Sequence, residues 1–100
     1  MTPIIIRDHM PQISEIIQQN DISYLGIYGS FSRGEQTPTS DLDLLVSFKE
    51  NKGLIGMVGV QEKLSSILGV EVDLITKEGM SKYIKPYIQD DLKTIYAEKS

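Results

Sequence analysis

Two β-prone segments separated by one helical segment constrain the fold of this chain more than any other feature. Residues 41–48 (DLDLLVSF) and 70–75 (VEVDLI) both predict strands, and their first four residues alternate apolar and acidic positions. Between them, apolar residues recur with a period of 3.6 from Leu54 to Leu68, and Gly69 then supplies the usual helix stop. A strand–helix–strand crossover favours parallel, right-handed pairing of the two strands.

The remaining segments extend this pattern into a small α/β chain. Apolar spacing from Ile6 to Ile17 predicts a first helix that is kinked or restarted at Pro11. Residues 24–28 predict a buried strand ending at Gly29, while residues 84–92 predict a helix and residues 94–97 a short extended piece. The expected fold class is α/β (α+β-like), with a small mixed β-sheet flanked by helices. The direction in which the first two strands pair is left open.

Length and composition limit the classes of function. One hundred residues predict a single domain spanning 1–100, without a second domain for substrate recognition. No apolar run is long enough to span a bilayer, and the N-terminal stretch lacks the features of a secretory signal. The absence of cysteine excludes thiol chemistry and fits a cytoplasmic location, and the net charge of −4 argues against direct nucleic-acid binding.

Three aspartates on two predicted strands are the candidate catalytic groups. Asp41 and Asp43 project from one face of their strand, and Asp73 falls on the same face of the sheet if both apolar sets face the core. Carboxylates gathered in this way need solvent, protons or cations, and oxygen ligands suit Mg²⁺. Taken singly, each residue also has an ordinary structural explanation: Asp41 as a cap, Asp43 as a solvent-facing residue and Asp73 as a half-exposed strand position.

A small-residue loop precedes this acidic cluster. The first predicted strand ends in Gly29 and Ser30, and ten residues separate Ser30 from Asp41. Free backbone N–H groups in such a loop can bind an anion, and Arg33 lies close by in the sequence. The spacing is sufficient to bring a phosphate-binding loop and the carboxylates to one cleft. His9, the only histidine, is expected at the surface or at an interface.

Residues 29–46 (GSFSRGEQTPTSDLDLLV) resemble the signature of the DNA polymerase β-like nucleotidyltransferase superfamily, in which Gly-Ser is followed after ten residues by Asp-x-Asp. The short chain and its tail are similar to the minimal nucleotidyltransferase (MNT) family in particular. The resemblance implies a polymerase β-like fold and Mg²⁺-dependent transfer of a nucleoside monophosphate from an NTP such as ATP. Many MNT sequences carry a basic residue directly after Gly-Ser, where this chain has Phe31.

The resemblance also implies roles for individual residues. Gly29, Ser30 and Arg33 would bind the ATP phosphates. Asp41 and Asp43 would bridge two Mg²⁺ ions, and Asp73 would hold the ion that activates the attacking hydroxyl. Phosphoryl transfer depends on positioning and charge neutralisation, which suits such a set of carboxylates.

MNT proteins act as antitoxins of HEPN-domain toxins by adenylylating a toxin tyrosine, so the resemblance implies a protein partner and AMP transfer to it. Two alternatives stay open: a steric antitoxin without catalysis, and a small-molecule nucleotidyltransferase. The tail residues Tyr83, Tyr87 and Ile88 are expected to form part of the partner interface, and Asp90 and Asp91 to lie on a solvated helix face.

Overall fold

A computed structural model describes residues 3–50, 52–77, 79 and 85–98. The chain begins with two short helices, continues through a strand and a one-turn helix into a second strand, and crosses through a long helix to a third strand. A last helix and an edge strand follow. In chain order the elements are α1 (Ile4–Arg7), α2 (Met10–Gln19), β1 (Ile22–Tyr28), α3 (Ser30–Arg33), β2 (Leu42–Phe48), α4 (Gly53–Leu68), β3 (Val72–Thr76), α5 (Lys85–Asp91) and β4 (Lys93–Ala97).

The predicted break near Pro11 is real and divides the first helical region into α1 and α2. Pro11 lies in the first turn of α2, where its missing N–H leaves no helical hydrogen bond unmade. His9 occupies the N-cap position of α2, and its Nδ1 atom lies 2.7 Å from the carbonyl oxygen of Ile5. The only histidine therefore joins the two helices and is half-buried rather than a free surface group.

The four strands form one mixed sheet in the order β3-β2-β1-β4. The parallel pairing of β2 with β3, predicted from the intervening helix, is confirmed. The pairing that the sequence left open is antiparallel, because β1 runs against β2. β4 also pairs antiparallel with β1 and forms the edge of the sheet opposite β3.

One face of the sheet carries the main hydrophobic core. Alternate residues of β2 and β3, including Leu42, Leu44 and Val72, belong to one buried cluster with residues of α2 and α4. Side chains of a strand alternate between faces, so Asp43 and Asp73 point away from this core. We call the side on which they lie the acidic face.

The centre of the acidic face is covered as well. Leu45, which shares the face with Asp43, is completely buried. A Cβ atom placed on Gly26, its cross-strand partner, would lie 2.6 Å from the Tyr24 hydroxyl oxygen and 2.8 Å from Cδ1 of Leu92. Glycine at position 26 thus lets the segment between α5 and β4 lie directly on the sheet, beside the end that carries the aspartates.

The structure corrects one part of the predicted partner interface. Ile88 on α5 is only 4% exposed, because this helix turns it inward. Tyr83 and the side chain of Tyr87 lie outside the described residues. Among the described residues, no helix is long and apolar enough to span a membrane.

Candidate active site

Three residues form a row across the end of the sheet. Tyr28 on β1 is the cross-strand partner of Asp43 on β2, and Asp43 is in turn the partner of Asp73 on β3. Neighbouring strands lie about 4.8 Å apart, so residues in such a row are direct neighbours. Asp43 is half-buried, whereas Asp73 is exposed. The two aspartates that the sequence predicted to converge therefore do so.

Asp41 does not belong to this row. β2 begins at Leu42, whose N–H donates to the carbonyl oxygen of Glu71 at 2.8 Å, and Asp41 is an exposed residue just before it. The preceding chain forms a turn in which the N–H of Thr37 donates to Oγ of Ser40 at 2.8 Å. The strand was predicted to begin at Asp41 and begins one residue later, at Leu42, because the turn at 37–40 precedes it.

The carboxylates nevertheless influence one another. Partial burial raises the pKa of Asp43, and the negative charges of Asp73 and Asp41 raise it further, against the opposing charge of Arg33. A half-buried carboxylate beside two others favours its neutral form unless a cation compensates the charge. This end of the sheet is therefore a place of concentrated negative charge that a bound cation would stabilise.

Tyr28 is a site residue that sequence reasoning did not single out. Burial raises the pKa of its phenol to about 12, with further contributions from the charges of Asp43 and Asp73. The phenol consequently stays protonated at neutral pH and can donate a hydrogen bond. Its position directly before Gly29 was visible in the sequence, but its pairing with Asp43 depends on the strand direction that the sequence left open.

The loop after β1 brings a backbone turn against the carboxylate of Asp43. Gly29 has a φ of 79° and a ψ of −155°, a conformation that is essentially reserved for glycine. A Cβ atom at this position would overlap the carboxylate of Asp43 and lie 3.3 Å from its Cγ atom. α3 begins at Ser30, so the first-turn N–H groups have no intrahelical acceptor.

Arg33 ends α3 and is bound by two carboxylates. Its Nε atom donates to Glu35 at 2.9 Å, and its Nη1 atom pairs with Asp91 at the end of α5. These carboxylates raise the pKa of the guanidinium, which stays fully charged. Asp91 was expected on a solvated helix face, but its side chain is only 22% exposed because it faces Arg33.

The donor set fits Mg²⁺ chemically, because it consists of carboxylate oxygens. Within the described residues, no three acidic or histidine side chains are close enough together to hold a metal. Asp43 and Asp73 supply hard oxygen ligands from adjacent strands, and Asp41 lies near enough to affect the pKa of Asp43.

Two hollows in the surface contain none of the three aspartates, although Arg33 lines the second. One of about 580 Å³ between α2 and α4 contains none of the predicted site residues. Another of about 320 Å³ is lined by Ile4 and Ile5, by Phe31 and Arg33 on α3, and by Lys93 on β4. The larger hollow lies against the helices, on the far side of the sheet from the acidic face. Volume alone therefore does not identify the site.

Comparison with known proteins agrees with this arrangement. Residues 10–95 match the family model of the nucleotidyltransferase domain. A protein of Methanocaldococcus jannaschii, named a putative protein adenylyltransferase, is 36% identical over 89 residues, which is 88% of each chain. The matched region includes the Gly29 loop and both strands that carry the aspartates.

Solved structures share the fold. A toxin–antitoxin crystal structure with AMP-PNP aligns with a TM-score of 0.76 at 23% identity, covering 89% of this chain and 73% of the other. A complex of a tri-AMPylated Shewanella oneidensis HEPN toxin with its MNT antitoxin aligns with a TM-score of 0.70 at 19% identity, covering 91% and 71%.

The chain belongs to the nucleotidyltransferase domain family, and its mixed sheet, glycine loop and paired aspartates agree with that membership. Its relatives are protein adenylyltransferases, and its structural neighbours are minimal nucleotidyltransferases of HEPN toxin–antitoxin pairs. The predicted family and fold class are both confirmed.

Proposed function

We propose that this chain is an antitoxin that transfers AMP from ATP to a hydroxyl group of a partner protein, a tyrosine of a HEPN toxin. The observation that carries the proposal is the in-register pair of Asp43 and Asp73 beside the Gly29 loop. This pair provides negative ligands next to a backbone turn with free N–H groups, and adenylyl transfer needs both.

Individual residues take the following roles in the proposal. Asp41, Asp43 and Asp73 would together hold two Mg²⁺ ions, with Asp73 as the carboxylate on the acceptor side. Bound Mg²⁺ would neutralise the phosphate charge and lower the pKa of the acceptor hydroxyl. The backbone of Gly29 and Ser30 binds the β and γ phosphates, and Arg33 adds a positive charge there. The row of side chains on the acidic face supports this division, because it lies directly against Gly29.

The chemistry balances without any further reactant. A bond forms between the acceptor oxygen and the α phosphorus, and the bond from the α phosphorus to the bridging oxygen of the β phosphate breaks. Pyrophosphate leaves with that oxygen, and the proton of the hydroxyl is released to solvent. Tyr28 does not serve as the base, because its phenol is protonated at neutral pH.

A protein acceptor is supported by the exposure of the site and by the relatives. Holding an acceptor in line with the α phosphorus accounts for roughly 7–11 kcal/mol of such a barrier. Asp73 is exposed, so a hydroxyl on the surface of a partner protein can reach it. The named activity of the Methanocaldococcus jannaschii relative and the AMPylated toxin in the Shewanella oneidensis complex support the same assignment.

The experiment that tests the proposal follows the label of ATP. The chain is incubated with Mg²⁺, a candidate HEPN-domain partner protein, and ATP labelled with ³²P at either the α or the γ phosphate. We expect label from the α phosphate on the HEPN protein and none from the γ phosphate. Label from the γ phosphate would identify phosphoryl transfer instead, and no label from either would exclude transfer to this partner.

The two alternatives make different predictions in the same assay. A steric antitoxin would inhibit the toxin without label, and Asp43→Asn would inhibit it equally well. A small-molecule nucleotidyltransferase would leave the HEPN protein unlabelled and consume ATP only with a small hydroxyl-bearing acceptor. The same assay with the Asp43→Asn variant is therefore the control for all three hypotheses: protein adenylylation, steric inhibition and transfer to a small molecule.

A further inference from the structure

Two hydrogen bonds and one ion pair connect the junction between α5 and β4 to α3. Oγ of Ser32 donates to the carbonyl oxygen of Asp91, and Nζ of Lys93 donates to the carbonyl oxygen of Ser32. The third contact is the ion pair between Arg33 and the carboxylate of Asp91. These contacts join parts of the chain that are 58 to 61 residues apart. The tail thus holds the loop to which the proposed function assigns the phosphates.

Arg33 forms ion pairs with Asp91 and Glu35, and the pair with Asp91 is the less exposed to solvent. The side chain of Asp91 is 22% exposed, compared with 65% for Glu35. Attraction between charges is less screened where solvent is partly excluded, so Asp91 restrains Arg33 more strongly than Glu35 does. Two carboxylates offset the charge of the Arg33 guanidinium, and the Lys93 ammonium group on Ser32 balances the second of them, so this corner of α3 offers little net positive charge.

A triphosphate approaching Arg33 would meet a guanidinium that two carboxylates already bind. We propose that Asp91 competes with the nucleotide phosphates for Arg33, so that the ion pair is an autoinhibitory contact which must loosen before ATP binds fully. The inference rests on the proposed function, because that function assigns Arg33 to the phosphates. The Ser32 and Lys93 contacts use backbone oxygens, so they can keep the tail in place while the Asp91 carboxylate releases Arg33.

Removing the charge of Asp91 tests the competition directly. AMP-PNP with Mg²⁺ is titrated calorimetrically into wild type, Asp91→Asn and the matched control Asp90→Asn, which removes the same charge from the exposed neighbouring residue. We expect Asp91→Asn to bind roughly three- to tenfold more tightly at low ionic strength, as expected for removal of one partly shielded charge. Asp90→Asn should bind like wild type, and added salt should reduce the gain.

The same comparison in an Arg33→Gln background shows whether the effect passes through Arg33. We expect Asp91→Asn to give little or no gain there, since no guanidinium remains to be released. Asp91→Ser is a second uncharged variant, in which the carbonyl oxygen of residue 91 can still accept the hydrogen bond from Ser32. Thermal melts confirm that each variant is folded.

The outcomes separate this inference from the proposed function. Wild type and variants that all fail to bind AMP-PNP would overturn both. Binding by wild type with an Asp91→Asn affinity equal to or weaker than that of Asp90→Asn would overturn the inference and leave the proposed function standing. A gain that persists in full without Arg33 would show that Asp91 acts by general repulsion, and it would overturn the competition.

Discussion

Gly29 lies so close to Asp43 that a methyl group on its Cα atom would overlap the carboxylate. The loop that is proposed to bind phosphate and the strand that is proposed to bind metal are thus in direct contact at these two residues. A small displacement of either residue would change the distance between the two halves of the site, and in-line transfer depends on such distances.

The close approach predicts that Gly29→Ala loses AMP transfer by more than tenfold even when the protein is folded, because the new Cβ atom displaces the Asp43 carboxylate. Stability should fall too, by about 1–3 kcal/mol, since the backbone conformation of Gly29 is reserved for glycine. Transfer to the HEPN partner is measured well below the melting temperature of the variant.

Gly34→Ala is the matched control. Gly34 also has a positive φ, 73°, but a Cβ atom there would have no neighbour within 4 Å. This variant should lose some stability from backbone strain and keep its transfer rate. Equal transfer rates for the two alanine variants would contradict a role for the contact between Gly29 and Asp43.

Asp43→Asn should stabilise the metal-free protein while abolishing transfer. The pKa of Asp43 is raised, so the folded state binds the proton more tightly than the unfolded state, and stability falls as the pH rises through that pKa. The asparagine variant avoids this loss, and its melting temperature in EDTA at pH 7 should exceed that of wild type by a few degrees. Near pH 3 the two proteins should melt alike.

Asp90→Asn serves as the control for loss of one negative charge at an exposed position. It should leave both melting temperature and transfer unchanged. A metal-free Asp43→Asn variant that is less stable than wild type at pH 7 would show that the carboxylate stabilises the fold, contrary to its raised pKa.

Tyr28 should titrate at unusually high pH. Its phenol has a pKa of about 12, above the ordinary value of 10.0, so ultraviolet titration should show a late tyrosinate transition that is missing in Tyr28→Phe. Since the folded-state pKa is the higher one, the stability that Tyr28 contributes is complete below pH 10 and is lost as the pH rises toward 12. In Asp43→Asn the transition should move to lower pH and stay above 10, because burial remains. A Tyr28 transition at the ordinary value would contradict its position beside the aspartates.

Mg²⁺ and nucleotide should bind together. We expect AMP-PNP with Mg²⁺ to raise the melting temperature of wild type, because a ligand that binds only the folded state stabilises it. EDTA should remove most of the shift, and Asp73→Asn should show little shift in either condition. A full shift in EDTA would mean that nucleotide binds without the cation, and it would contradict the proposed metal role of these carboxylates.

The part of the site that depends on strand alternation could be predicted from the sequence. The helix between β2 and β3 favours parallel pairing of these strands. Because side chains alternate between the two faces of a strand, Asp43 and Asp73 then lie on the same face of the sheet. The Gly-Ser loop could be identified because few residue types permit such a turn at the end of a strand.

The remaining features depend on contacts between distant parts of the chain. Nothing in the sequence states the direction of β1 against β2, so the pairing of Tyr28 with Asp43 could not be foreseen. The same holds for Asp91, whose contact with Arg33 depends on where the last helix lies. Ile88 was misassigned for a related reason: an apolar residue on a short helix suits an interface or a core equally well.

Intact-mass spectrometry of the HEPN partner tests the central claim most directly. The partner is co-expressed with wild type, with the double variant Asp41→Asn and Asp43→Asn, and alone. The account predicts one or more added AMP groups on the partner with wild type and none in the other two samples, with peptide mapping locating AMP on tyrosine. An unmodified partner that is still inhibited by both the wild-type and the double-variant chain would contradict it and leave steric binding as the function.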